Sequence, residues 1–151
     1  MKEIKRFIIG SRAIFSGYKD FDDNVIDTDI LIIDGEENPN YGFETQSYDE
    51  NKDIHYIIWK FMPKETMLSF HIKNCYEGTY IQKFLCPEYV EYIGLTIDEL
   101  KSMKKLLNYM DKNHTYEIVV YNAYIENNGF YMTEEQKNAA YAEYKRTRGL
   151  S

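Results

Sequence analysis

Cysteines and long apolar stretches are scarce in this 151-residue chain, and each shortage excludes a class of protein. The two cysteines, Cys75 and Cys86, have ten residues between them and match no zinc spacing, since a zinc site would need further Cys or His residues nearby at short intervals. We therefore interpret both as reduced thiols in the core. No apolar stretch approaches the roughly 20 residues that cross a bilayer, which argues against a membrane-spanning protein. Apolar residues still make up 44% of the chain, so the sequence predicts a folded protein rather than a disordered one.

Positive charge is also in short supply. The chain has 18 Lys and Arg residues against 25 Asp and Glu, for a formal net charge of −7. Tight non-specific binding to long nucleic acids requires Lys and Arg to neutralise phosphates, so this balance argues against it. A small substrate or a protein partner fits the charge better. The N-terminal residues lack the apolar core and cleavage site of a secretory signal, so we expect a cytoplasmic location.

The length predicts one domain over residues 1–151, because a chain of about 150 residues buries roughly two thirds of its unfolded surface. No repeat or low-complexity linker divides the sequence. We predict an α+β architecture. Residues 1–62 form a small mixed sheet with helices packed on it, and residues 63–151 form a mainly helical part of the same domain.

Local signals place several helices of the second half. Two capping boxes, Thr96–Glu99 and Thr133–Gln136, predict the starts of helices that run to about Lys112 and Thr147. Thr115 is predicted to cap a further helix that ends on a glycine, although the β-branched residues after it leave a strand open.

Three apolar runs have the character of strands. They are Arg6–Ile9, Val25–Ile33 and Asp53–Trp59, all rich in isoleucine. Phe21–Asn24, which precedes the second run, is interpreted as a loop. His55 lies on the same strand face as Asp53, where it either lines a pocket or makes an ordinary polar contact, and the second interpretation is favoured.

Two aspartates interrupt the second apolar run. The strand period of two places Asp27 and Asp29 on the same side, roughly 6–7 Å apart along the chain. Like charges side by side in a strand cost about 1 kcal/mol. A bound cation would remove that cost, and two such carboxylates can share one Mg²⁺ or bridge two.

A Gly-Ser turn ends the first apolar run. Gly10 breaks the strand, and its missing side chain lets the backbone approach a ligand closely. Ser11 is predicted to begin a helix, where free N–H groups and its hydroxyl can hold a phosphate. A phosphate-binding turn followed by paired carboxylates is what metal-assisted chemistry on a nucleotide requires.

The order of these features resembles the polymerase-beta-like nucleotidyltransferase superfamily, whose pattern is an apolar strand, Gly-Ser, a spacer and Asp-x-Asp with apolar neighbours. The resemblance covers roughly the first sixty residues, with a longer spacer than is usual in the family. It implies that Gly10 and Ser11 hold the triphosphate of a nucleoside triphosphate. It also implies that Asp27 and Asp29 are catalytic metal ligands for Mg²⁺ or Mn²⁺.

The resemblance extends to two further residues. Asp53 is the predicted third catalytic acid, which would act with a second metal on the acceptor hydroxyl. Arg12 directly follows the Gly-Ser pair, an arrangement similar to small Gly-Ser-Arg nucleotidyltransferases predicted in bacteria and their phages. We therefore include Arg12 among the nucleotide-binding residues.

Two functions follow from the resemblance as alternatives. The first is metal-dependent transfer of a nucleotidyl group from a nucleoside triphosphate to a hydroxyl, with loss of pyrophosphate. The second is a non-catalytic protein of the same fold that binds a protein partner or a nucleotide, as an antitoxin or a phage counter-defence protein would. Stabilisation by Mg²⁺ with a nucleoside triphosphate would favour the first.

Overall fold

The computed structural model describes residues 2–24, 27–35, 44–80, 82–109 and 114–149. The chain forms two compact units. The first comprises Met1–Pro63 and Gln82–Tyr89, and the second comprises Lys64–Ile81 and Val90–Ser151. The single-domain assignment stays a prediction, whereas the predicted α+β class is confirmed by a four-stranded mixed sheet and a helical second half.

The elements of the first unit come in the order β1 (Glu3–Ile9), α1 (Ser11–Phe15), α2 (Lys19–Asn24), β2 (Thr28–Asp34), β3 (Glu44–Asp49), β4 (Ile54–Lys60) and a 3₁₀ turn (Gln82–Leu85). The second unit contains α3 (Lys64–Tyr76), α5 (Ile97–Tyr109), α6 (Thr115–Asn127) and α7 (Glu134–Thr147). The helix α4 (Pro87–Ile93) follows the 3₁₀ turn, and it begins in the first unit and ends in the second.

The four strands form one sheet in the order β1-β2-β4-β3. The outer pairs, β1 with β2 and β3 with β4, are antiparallel, while β2 and β4 at the centre are parallel. Asp29 is opposite Ile9 in β1 and opposite His55 in β4, and His55 is in turn opposite Tyr48 in β3. Residues opposite each other point to the same side, so these four side chains form one row across the sheet.

One face of the sheet carries the core of the first unit. Its buried side chains come from the three strands that the sequence predicts, and they are Phe7, Ile9, Leu31, Ile33, Ile57 and Trp59. Strand alternation places Asp29 and His55 on this same face. Asp29 and His55 therefore lie at the end of the core face, where β2 and β4 begin.

Two predictions about the segment before β2 are wrong. Phe21–Asn24 is the end of α2 rather than a loop, because Phe21 is buried and packs against Phe15 at 5.8 Å between ring centroids. Asp27 precedes β2 instead of lying in it, since the strand begins at Thr28. Residues 25–26 of the predicted strand lie outside the described residues.

The sequence did not predict β3. Its residues Glu44–Asp49 are polar, and three of the six are exposed because the strand lies at the edge of the sheet. An exposed edge strand does not need the apolar alternation by which strands are recognised in a sequence.

The second unit confirms both capping boxes. Thr96 and Glu99 exchange backbone and side-chain hydrogen bonds at 2.9 and 3.1 Å, and Thr133 and Gln136 do so at 2.9 and 3.2 Å. The predicted end of the first of these helices at Lys112 lies outside the described residues.

The segment after Thr115 is the helix α6 rather than a strand, because its apolar residues are buried at helical spacing. Thr115 is its first residue instead of its cap, and His114 occupies the N-cap position. Both cysteines are free and buried, as predicted. Among the described residues, no helix combines the length and the apolar character needed to cross a membrane.

Candidate functional site

A chain of hydrogen bonds runs from Asp29 through His55 to Trp59. His55 Nδ1 lies 3.2 Å from Asp29 Oδ1, and His55 Nε2 lies 2.8 Å from Gln46 Oε1. The amide of Gln46 is fixed by Glu44, whose carboxylate accepts a 2.8 Å hydrogen bond from Gln46 Nε2. Glu44 is itself held by the indole N–H of Trp59 at 2.6 Å. The orientation of His55 is therefore set by Asp29 of β2 and Gln46 of β3.

This network fixes where the protons of His55 lie. Because Gln46 presents its carbonyl oxygen, which only accepts, His55 Nε2 must carry a proton. A hydrogen bond between His55 Nδ1 and Asp29 Oδ1 then requires one further proton, on the imidazole or on the carboxyl.

The pKa of Asp29 differs from that of a free aspartate. Burial raises the pKa of Asp29 above its ordinary value of 3.8; the hydrogen bond and charge of His55 lower it, and the negative charge of Asp27 raises it. The side chain of Asp29 keeps 41% of its surface exposed. It is therefore accessible to a ligand, and a cation beside it would relieve the cost of its charge.

The Gly10 turn faces Asp29 directly. A Cβ atom at Gly10 would lie 3.2 Å from Asp29 Oδ2 and 3.0 Å from Oε1 of Gln82, so a side chain there would force these two groups to move. The backbone of Gly10 has φ 73° and ψ −153°, a combination essentially restricted to glycine. The Gly10 N–H donates to the carbonyl of Gln82 at 3.4 Å. The neighbours that approach the Gly10 backbone are Asp29 and Gln82, and the approach of a ligand there stays a prediction.

Arg12 ties the same turn to Asp27. Its Nε donates to the backbone carbonyl of Asp27 at 3.2 Å, and its guanidinium lies 5.6 Å from the ring centroid of Phe21. The side chain of Asp27 is exposed, and its charge acts on Asp29. Ser11 is half-buried and begins α1. The structure therefore brings Gly10, Ser11, Arg12, Asp27 and Asp29 to one end of the sheet.

Asp53 lies at this end too, but its carboxylate has its own partner. The hydroxyl of Tyr48 donates to Asp53 Oδ1, and this hydrogen bond raises the pKa of Tyr48. Asp53 has φ 53°, and its carbonyl accepts from the Thr28 N–H at 3.1 Å. This bond joins the starts of β2 and β4, so the backbones of Asp53 and Asp27 are adjacent.

The role of Asp53 as a third metal ligand stays a prediction. Among the described residues, no three His, Cys, Asp or Glu side chains are grouped as a metal-ion site. The acids are instead paired with other groups, Asp29 with His55 and Asp53 with Tyr48.

Gln82, Gln46 and Tyr48 belong to the site, and sequence reasoning missed them. Gln82 comes from the 3₁₀ turn, far along the chain, and the other two come from the unpredicted strand β3. Their side chains carry no local motif, since Gln46 and Tyr48 gain a role through strand pairing and Gln82 through its contact with the Gly10 turn. The sequence offered one indication of this hydrogen-bond network, namely that His55 lies two residues after Asp53 on the same predicted strand face.

The chain was also compared with known proteins. Searches against protein families, curated proteins and solved structures found no match.

Proposed function

We propose that this protein is a metal-dependent nucleotidyltransferase that moves a nucleotidyl group from a nucleoside triphosphate to a hydroxyl. The observation that carries the proposal is the close approach of the Gly10 backbone to Asp29, where an added Cβ would lie 3.2 Å from Asp29 Oδ2. This approach places a carboxylate beside the start of α1, where a cation held by Asp29 could bridge it to a phosphate near Ser11 and Arg12.

The residues present fit Mg²⁺. This ion is usually held by one or two carboxylates together with oxygens of the substrate phosphates and water, so two aspartates are enough. Asp29 Oδ1 is engaged by His55, while Oδ2 faces the Gly10 turn. Asp29 and the exposed Asp27 would hold the ion. When bound, the metal would neutralise charge on the triphosphate and make an acceptor hydroxyl more acidic.

The chain's own groups would do the remaining work. Arg12, anchored to the carbonyl of Asp27, supplies positive charge next to the turn, where phosphate oxygens would lie. His55 would orient the carboxylate of Asp29 by its hydrogen bond, as outer-shell partners of metal ligands do.

The experiment that tests this function follows labelled nucleotide. Each α-labelled nucleoside triphosphate is incubated with Mg²⁺ or Mn²⁺ in cell lysate, with wild type or with Asp29→Asn. We expect transfer by wild type and a loss of more than about 100-fold in the variant, because even outer-shell partners of metal ligands are worth 10–100-fold. Asp98→Asn is the matched control, since the side chain of Asp98 is 94% exposed and lies in α5.

Three results are possible, and each bears on the proposal. Transfer by wild type and Asp98→Asn alone supports it. Equal transfer by Asp29→Asn would show that the site is placed wrongly. No transfer, with no effect of Mg²⁺ and nucleotide on the melting temperature, would contradict the proposal and favour a protein that acts by binding a partner.

A further inference from the structure

Tyr48 stands out among the groups that the proposed reaction leaves unused. It lies in β3, its residue is 55% exposed, and its hydroxyl donates to the carboxylate of Asp53. A phenol that is open to solvent and hydrogen-bonded to a carboxylate has the two features of an acceptor, a nucleophilic oxygen and a base for its proton.

The sheet places this phenol beside the proposed site. Tyr48, His55 and Asp29 are opposite one another on adjacent strands, so the backbones of Tyr48 and Asp29 are about 10 Å apart, two strand spacings. The Tyr48 hydroxyl reaches Asp53, which adjoins Asp27 through the bond from Thr28 to Asp53. The phenolic oxygen is therefore directed towards the end of the sheet where the two metal-binding aspartates lie.

We propose that Tyr48 is itself an acceptor, so that the protein attaches a nucleotide to its own chain. This inference rests on the proposed function and names an acceptor for it. The phenolic oxygen of Tyr48 attacks the α-phosphorus of a nucleoside triphosphate and forms a new O–P bond. The bond from the α-phosphorus to the bridging oxygen breaks, and pyrophosphate leaves with the electron pair. Asp53 takes the phenolic proton and passes it to water, which leaves a nucleoside monophosphate on Tyr48 as a phosphodiester.

A second exposed tyrosine shows what distinguishes Tyr48. Tyr131 is 57% exposed, nearly the same as Tyr48, but its hydroxyl donates to the backbone carbonyl of Asn127 at 3.3 Å. A backbone carbonyl oxygen is too weak a base to take a phenolic proton, whereas a carboxylate can act as a general base. Tyr131 is therefore the matched control, equal in exposure and lacking the base.

The test measures intact mass and maps the modified peptide. Wild type, Tyr48→Phe, Asp53→Asn, Asp29→Asn and Tyr131→Phe are each analysed as purified from cells and again after incubation with nucleoside triphosphates and Mn²⁺ or Mg²⁺. We expect one nucleotidyl adduct on Tyr48 in wild type and in Tyr131→Phe, and none in Tyr48→Phe. Asp53→Asn is expected to slow its formation by about 10²-fold, the usual contribution of a general base. Asp29→Asn is expected to lack the adduct.

The outcomes separate this inference from the proposed function. If the labelled nucleotide of the lysate experiment is transferred to another molecule while Tyr48 stays unmodified, the inference is overturned and the proposed function stands. If neither Tyr48 nor any other molecule receives a nucleotide, both the inference and the proposed function are contradicted. An adduct that forms as fast in Asp53→Asn as in wild type, followed over time by intact mass, would remove Asp53 as the base. Melting temperatures of the variants, which we expect to match wild type for Tyr48→Phe because the ring is kept, show that a lost adduct is not a lost fold.

Discussion

His55 Nδ1 lies 3.2 Å from Oδ1 of Asp29, across the parallel pair of strands at the centre of the sheet. On its other side, His55 is fixed by Gln46, so the imidazole is held in one orientation. The pair adjoins the Gly10 turn, where an added Cβ would lie 3.2 Å from Asp29 Oδ2.

Asp29 is expected to give the metal-free protein a pH-dependent stability. Its pKa is raised in the folded state, chiefly by burial, so the folded protein binds this proton more tightly than the unfolded chain. The contribution of Asp29 to the free energy of unfolding therefore falls as pH rises from the ordinary pKa of 3.8 through the raised one. Asp29→Asn should remove that fall. Denaturant titrations between about pH 3 and pH 7 measure the difference between wild type and variant. A difference that is constant with pH would contradict the prediction.

His55→Gln is expected to raise the pKa of Asp29 further. His55 lowers that pKa by its hydrogen bond and its charge, while the burial that raises it would remain. NMR titration of the Asp29 carboxyl carbon would report the change. The same variant should weaken Mg²⁺-dependent nucleotide binding by 10–100-fold, the usual effect of losing an outer-shell partner. A pKa of Asp29 that stays or falls would show that His55 does not stabilise the carboxylate.

Gly10→Ala is expected to lower the free energy of unfolding by about 1–3 kcal/mol, the usual cost of a residue in a glycine-only backbone region. The added methyl group would also crowd Gln82 and Asp29, so nucleotide binding should be lost. Gly17→Ala is the matched control, because Gly17 has φ 103° and no atom within 4 Å of an added Cβ. The control should lose stability yet keep binding, and equal loss of binding in both would attribute the effect to strain alone. Denaturant unfolding and nucleotide-dependent thermal shifts measure the two effects.

Thr133→Ala should destabilise α7 without affecting the site. The Thr133 hydroxyl accepts from the Gln136 N–H at 3.2 Å, and losing such a cap costs about 1 kcal/mol. Thr133→Ser keeps the hydroxyl and should retain most of the stability. Denaturant midpoints compare the variants, and an unchanged midpoint in Thr133→Ala would mean that the cap contributes nothing.

Local signals in the sequence predicted several elements correctly. The capping box at Thr133 and the strand end at Gly10 depend on residues within a few positions of one another, so a pattern reveals them. Predictions went wrong where a tertiary contact decided the structure. Phe21 joins a helix because it packs on Phe15, and β3 forms without an apolar pattern because β4 supplies its hydrogen bonds.

The sequence by itself determined the α+β class, the glycine turn after β1 and the aspartate in β2, because each follows from side-chain size, polarity and spacing along a short segment. Only the tertiary structure decided which groups meet there. Asp29 contacts His55 because β4 inserts between β2 and β3 in the sheet. Gln82 reaches Gly10 from a turn more than seventy positions later in the chain. Such pairings depend on strand order and register, which no local pattern of residues encodes.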